Sequence, residues 1–62
     1  MLSVNNIVQF VYNGKVRVVR LEKVTATYIQ GWDATANHPE GGYRSFSIPQ
    51  MEGCEVVGRL EV

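Results

Sequence analysis

The sequence predicts one small all-β domain, and three local patterns carry that prediction. Asn13-Gly14 lies between two alternating runs and supplies the two residues that tolerate the positive φ angles of a type I′ hairpin turn. No segment keeps the 3.6-residue apolar period over three turns, so we expect no long helix. Glycine- and proline-containing stretches divide the remaining chain into short strand-like runs. We therefore expect a five-stranded SH3-like (Sm-like) barrel, with one short helical turn before the last strand.

The first hairpin takes its strands from either side of Asn13-Gly14. Residues 7–12 alternate, and the return strand begins by alternating from Lys15. The doublet Val18-Val19 then shifts the apolar phase, so that Val19 and Leu21 become the apolar set. A bulge or sharp bend at the doublet is the simplest interpretation, because small barrels need such bends to close.

The third strand is predicted over residues 25–33, which are rich in β-branched and aromatic side chains. Alternation puts Tyr28 and Trp32 on one face of this strand and Ile29 on the other. Residues 34–42 form a loop by composition. A five-stranded OB-fold is the alternative architecture, but it usually has a longer helix where this chain has the glycine-rich loop.

The fourth and fifth strands flank a short turn. Residues 43–48 alternate, with Arg44 and Phe46 on one side, and Pro49 to Gly53 fits a single helical or 3₁₀ turn. In the last strand, alternation predicts an apolar face opposite a largely charged one. Its expected apolar residues are Cys54, Val56, Gly58, Leu60 and Val62.

Length and composition limit the class of protein. Sixty-two residues allow one domain, which buries only about 60% of the surface of its unfolded chain. The single cysteine, Cys54, excludes an intramolecular disulfide and a four-cysteine zinc site, and it favours a reducing compartment. No apolar run reaches the roughly 18 residues of a membrane helix, and the first residues lack a signal-peptide pattern. We expect a cytoplasmic protein with no membrane partner.

Charge argues against one class of ligand. Six Lys/Arg balance six Asp/Glu, whereas proteins that bind duplex DNA mainly by neutralising phosphates usually carry a basic excess. The distribution is uneven, because four of the six cations lie within residues 15–23 and three acids lie within residues 52–61. One region of the surface is therefore expected to be positive.

Two segments carry a resemblance to a known family. Tyr28-Ile29-Gln30-Gly31-Trp32-Asp33, followed after a loop by Arg44-Ser45-Phe46-Ser47-Ile48-Pro49-Gln50-Met51, resembles a WYL domain. Upstream, Tyr12-Asn13-Gly14 and Arg17-Val18-Val19 are similar to the opening hairpin of that family. The likeness extends from about residue 8 to residue 53.

The resemblance implies an SH3-like or Sm-like fold that senses or binds nucleic acid or nucleotide-type effectors, usually beside a helix-turn-helix domain in bacterial regulators. A chain of this length has no room for that second domain, which implies a stand-alone phage or bacterial accessory protein or an excised piece. Two positions depart from the family pattern. Thr27 replaces the Trp of its name-giving triplet, and Gln50 replaces the second of two ligand-gripping arginines.

Arg44 is the first candidate binding residue. An arginine on the same side as apolar neighbours must pair with an acid or meet the phosphate or carboxylate of a ligand, and the resemblance places Arg44 at the first motif arginine. The alternatives are a structural ion pair with Asp33 or Glu22, or an arginine whose stem lies on the surface with its head in water.

Aromatic and basic side chains supply the other candidates. Tyr28, Trp32 and Tyr43 stack bases if they are exposed, at about 1–3 kcal/mol per base, and otherwise belong to the core. Arg17 and Arg20 lie in the basic segment and line a phosphate-tracking groove, or else belong to a solvated strand face.

No pattern indicates an enzyme. The sequence lacks GxGxxG, P-loop and GxSxG motifs, and its single histidine, His38, has no metal-binding companions. We expect no cofactor and no metal. The predicted function is a non-enzymatic binding module for single-stranded nucleic acid or a nucleotide-like ligand, in a regulatory or accessory role. The alternative is a protein-interaction or self-assembly module that forms a homo-oligomer or binds a protein partner through exposed sheet edges.

Overall fold

A computed structural model describes residues 1–36 and 42–61. These residues form one antiparallel sheet with the strand order β4-β3-β2-β1-β5. The elements are β1 (Asn6–Tyr12), β2 (Lys15–Val24), β3 (Tyr28–Asp33), β4 (Gly42–Ser47), a 3₁₀ turn (Ile48–Gln50) and β5 (Glu52–Arg59). The prediction of five strands and one short turn before the last strand is confirmed. Between β4 and β5 the sheet is not closed.

Tight turns set the ends of the first three strands. Asn13 and Gly14 have φ angles of 52° and 78°, so both take the positive values that a type I′ turn requires. The Thr25 hydroxyl accepts the backbone N–H of Tyr28 at 3.0 Å and that of Thr27 at 3.3 Å. This local turn competes with ladder pairing, so β3 begins at Tyr28 and not at Thr25 as predicted.

The core lies on one side of the sheet, which we call the core face. Its fully buried apolar residues are Val8, Phe10, Val19, Leu21, Ile29 and Phe46. Phe10 and Phe46 meet edge to face with ring centroids 5.1 Å apart, and Tyr12 contacts Phe46 in the same manner at 4.9 Å. Edge-to-face contacts between aromatic rings stabilise a core beyond their buried area. Six residues from four strands thus form the core of this small domain.

The β1–β2 pairing continues without a shift through Val18 and Val19. The predicted bulge at this doublet is therefore wrong. Arg17 pairs with Phe10 across the strands and shares the core face with Val19, because residues two apart on a strand point to the same side. The apparent phase shift arose because a charged residue occupies a core-face position.

The irregularity in β2 lies at Glu22, three residues after Val19. Leu21 pairs with Gly31, and the next pair joins Lys23 to Gln30, which leaves Glu22 as an extra residue. A bulge of this kind bends the strand and redirects side chains. Glu22 and Lys23 consequently both lie toward the side opposite the core, which we call the outer face.

The last strand, β5, lies at the edge of the sheet and buries none of its side chains. Its register against β1 shifts twice, once at Val57 and again near Gly53. Each shift breaks the period of two on which the predicted apolar face depended. Val56 still pairs with core-face Val8, yet both Val56 and Val57 are exposed on this edge strand. Val62 lies outside the described residues.

The 3₁₀ turn is tied to the first hairpin by one hydroxyl group. The Tyr12 hydroxyl donates to Gln50 Oε1 at 2.7 Å and accepts the backbone N–H of Ser47 at 3.2 Å. Gln50 therefore ties the turn to the end of β1. The predicted 34–42 loop and His38 fall mostly or wholly outside the described residues. Within those residues, no helix has the length and apolar composition needed to cross a membrane.

Candidate functional site

The sheet separates the predicted binding residues into two groups. Strand register puts two of them on the core face and four on the outer face, because directly paired residues share a side. The core-face pair is Arg17 and Arg44, and the outer-face group is Arg20, Tyr28, Trp32 and Tyr43. The six residues do not form a single patch.

The two core-face arginines meet at Asp33, the last residue of β3. The Asp33 side chain is fully buried, and its Oδ2 lies 3.4 Å from Arg17 Nη1 and 3.6 Å from Arg44 Nη1. Its other oxygen, Oδ1, accepts the backbone N–H of Thr35 at 2.9 Å and the Thr35 hydroxyl. Every oxygen of this carboxylate therefore faces a donor or a cation.

Burial differs between the two arginines. The Arg17 side chain is 17% exposed and that of Arg44 is 41% exposed, and the Arg44 guanidinium lies 5.0 Å from the centroid of the Phe46 ring. A buried carboxylate is tolerated only when cations or hydrogen bonds compensate its lost hydration. Arg44 therefore forms the structural ion pair with Asp33, which was the alternative to a ligand-binding role in the sequence analysis.

An exposed aromatic pair occupies the outer face. Trp32 on β3 pairs directly with Tyr43 on β4, and their rings meet edge to face with centroids 5.1 Å apart at 71°. Trp32 is 39% exposed and Tyr43 is 47% exposed, so ring surface of each is open to solvent. Tyr28 lies further along the same face, half-buried, with Lys23 Nζ 5.6 Å from its ring centroid.

Glu22 connects the aromatic pair to a cation. The Trp32 indole Nε1–H donates to Glu22 Oε2 at 2.6 Å, and Arg20 Nη1 lies 3.6 Å from the same oxygen. The bulge in β2 brings the next residue, Lys23, to the same face. Glu22 was missed from the sequence, although it lies two positions after Arg20 and so belongs on the same face by alternation.

A second polar pair lies on the outer face between Tyr28 and the Trp32–Tyr43 pair. Gln30 Nε2 donates to Ser45 Oγ at 2.8 Å, and the two residues are direct cross-strand partners. Both were missed as well, because an isolated Gln and an isolated Ser carry no motif signal. Around the aromatic pair, the outer face therefore combines rings, cations, the Glu22 carboxylate, and amide and hydroxyl groups.

Partial burial raises the pKa of the Cys54 thiol, although this residue is exposed overall. Among the residues that the structure describes, no three His, Cys, Asp or Glu side chains gather as a metal site.

No family model, curated protein or solved structure matches the chain, so the function of the site has to be inferred from its own chemistry.

Proposed function

We propose that the protein is a non-enzymatic binding module whose outer face takes single-stranded nucleic acid or a nucleotide-like ligand, in a regulatory or accessory role. The exposed Trp32–Tyr43 pair beside Arg20 is the observation that carries the proposal. Bases stack on exposed aromatic rings at about 1–3 kcal/mol each, and nearby cations attract the phosphates.

The same face favours single strands over duplexes. Base faces are accessible for stacking only when they are unpaired. The chain has no net positive charge, and a protein that binds duplexes through phosphate neutralisation needs one. Arg20 and Lys23 supply local charge on the outer face, which suits a short single-stranded segment.

The core-face arginines have no part in this proposal. Arg17 and Arg44 both lie against the buried Asp33 carboxylate. A ligand phosphate would have to compete with a charge that cannot move into water. Binding is therefore assigned to the outer-face residues Arg20, Tyr28, Trp32 and Tyr43.

The proposal extends to the fold family. The strand order, together with a 3₁₀ turn between β4 and β5, supports a small SH3-like barrel of the WYL type. Because Arg44 lies against Asp33 and Gln50 accepts a hydrogen bond from Tyr12, such a domain would bind its ligand without either of the two family arginines. The single cysteine supports a cytoplasmic location.

Fluorescence titration of Trp32 tests the function. Short single-stranded DNA and RNA are added at low and moderate salt, and we expect a saturable change in emission that weakens as salt rises. Tyr43→Ala and Arg20→Ala should each weaken binding. Arg59→Ala, the same truncation on the distant edge strand, should leave it unchanged. No emission change with either nucleic acid, on a protein shown to be folded, would overturn the proposal.

The edge strand favours a second candidate function. In the described structure, one edge of β5 pairs with β1 and the other is free. Val56 and Val57 on this strand, and Leu60 just after it, are exposed. Exposed edge strands accept strands from other chains, which makes protein interaction or self-assembly the alternative. Light scattering over a range of concentrations tests the self-assembly form, and Val57→Lys should prevent it. A monomer at every concentration would eliminate it.

A further inference from the structure

Glu22 is an unusual residue for a surface that attracts phosphates. It lies among the residues that would contact a nucleic acid, yet it carries a negative charge. Alternation from Arg20 puts it on this face, and the 2.6 Å hydrogen bond from the Trp32 indole fixes its carboxylate. A carboxylate held in this way beside the exposed rings is placed to contact a base that stacks on them.

The contacts of Glu22 leave part of its carboxylate open. Both the Trp32 indole and the Arg20 guanidinium approach Oε2, and Oε1 receives no hydrogen bond from the residues that the structure describes. The Glu22 side chain is 38% exposed. An ionised carboxylate has about four lone-pair sites on its two oxygens and donates no hydrogen bond. Oε1 is therefore open to a ligand donor, and Oε2 keeps one acceptor site beyond the hydrogen bond from Trp32.

A carboxylate beside a guanidinium selects among bases. Guanine presents two neighbouring donors, N1–H and N2–H₂, which a carboxylate accepts as a pair, and its O6 and N7 are acceptors that arginine prefers. Adenine and cytosine offer a single exocyclic amine, and uracil or thymine flanks its one N–H with two carbonyl oxygens that a carboxylate repels. Adenine and cytosine also place a ring-nitrogen acceptor beside that amine, but among the common bases only guanine offers the carboxylate two donors on neighbouring atoms next to an acceptor for Arg20.

We propose that the outer face prefers guanine. The base stacks on the exposed ring surface of the Trp32–Tyr43 pair, Glu22 accepts its N1–H and N2–H₂, and Arg20 donates to O6, the acceptor next to N1. The 3.6 Å separation of Arg20 Nη1 from Glu22 Oε2 lets one planar base reach both groups. This preference rests on the proposed function, since it names the base that the same site would select.

Thymine oligonucleotides with one central substitution test the preference. Each carries guanine, adenine or cytosine at its centre, with an all-thymine strand as reference, and the dye-labelled strands are followed by fluorescence anisotropy. Matched RNA strands and free GMP separate a requirement for the base from one for the backbone. We expect the guanine strand to bind about 5–10-fold more tightly than the others. This factor is at the lower end of the discrimination that one bidentate base contact gives, because the face is solvent-exposed.

Substitution of Glu22 gives the decisive comparison. Glu22→Gln keeps the size of the side chain but replaces one acceptor by a donor, so the guanine strand should lose its advantage while the all-thymine strand binds as before. Glu55→Gln, on the distant β5, is the matched control and should keep the preference. Equal binding of all strands by the native protein, or a guanine preference that survives in Glu22→Gln, would overturn this inference alone. No binding of any strand would overturn the proposed function with it.

Discussion

Replacing Asp33 by asparagine tests the charge balance of the core face. The variant keeps the shape of the side chain and the Oδ1 acceptor that holds Thr35, but it removes the negative charge that lies within 3.6 Å of both Arg17 and Arg44. The remaining positive charges then face a buried neutral amide. The loss of stability comes from the uncompensated arginines.

The two arginines contribute unequally to the expected loss. Breaking a buried ion pair from one side costs about 3–5 kcal/mol, whereas an exposed pair contributes about 0–1 kcal/mol. Arg17, at 17% exposure, is close to the first case, and Arg44, at 41%, is closer to the second. Because Arg17 can partly move its head into water, we expect Asp33→Asn to lose about 2–3 kcal/mol. That is a large share of the roughly 3–9 kcal/mol expected for a domain of this size.

Chemical denaturation followed by far-UV circular dichroism measures these losses. Arg44→Met is the control and should cost less than about 1 kcal/mol, since its pair is partly solvated. Arg17→Met should cost more than Arg44→Met. The double variant Asp33→Asn with Arg17→Met should lose less than the sum of the two single variants, because residues in direct contact couple. A larger effect for Arg44→Met than for Arg17→Met would refute the assignment of the buried pair.

Two other predictions address the backbone and the thiol. A methyl group at Gly31 would lie 2.0 Å from the Arg20 carbonyl oxygen, so Gly31→Ala should lose at least about 1–3 kcal/mol as overpacking does. Gly58→Ala, whose nearest neighbour is Ile7 Cδ1 at 3.7 Å, should unfold at nearly the native denaturant concentration. Burial raises the pKa of Cys54 above that of an unfolded thiol, so alkylation of the folded protein should reach half its maximum rate at higher pH than in denaturant. Because the folded pKa is the higher one, the protonated thiol of Cys54 contributes stability that is complete below the unfolded pKa and is lost as pH rises through the folded pKa. Identical alkylation profiles in the folded and unfolded protein would contradict the raised pKa and this pH dependence together.

Local patterns predicted the elements whose determinants are local. The positive φ angles at Asn13 and Gly14 follow from residue type alone. The common face of Tyr28 and Trp32 follows from the period of two. In both cases, neighbours in sequence determine the outcome.

Elements that depend on distant partners were not predictable. Arg17 lies on the core face because Asp33, sixteen positions later in the chain, neutralises it there, and its charge alone suggested a shift in strand phase. The break in the alternation of β5 has a similar origin, since the register shift at Val57 arises in pairing with β1. Neither the ion pair nor the shift has a signal within its own strand.

Burial decides which arginine a ligand can recruit. Asp33 and Glu22 each hold an arginine at a similar distance, 3.4 Å for Arg17 and 3.6 Å for Arg20. Asp33 is fully buried, so separating it from Arg17 would strand a charge away from water, which costs several kcal/mol. The exposed Glu22 is screened by solvent and can share its cation at little cost. An incoming anion or base therefore competes for Arg20 on the outer face, next to the rings on which it would stack.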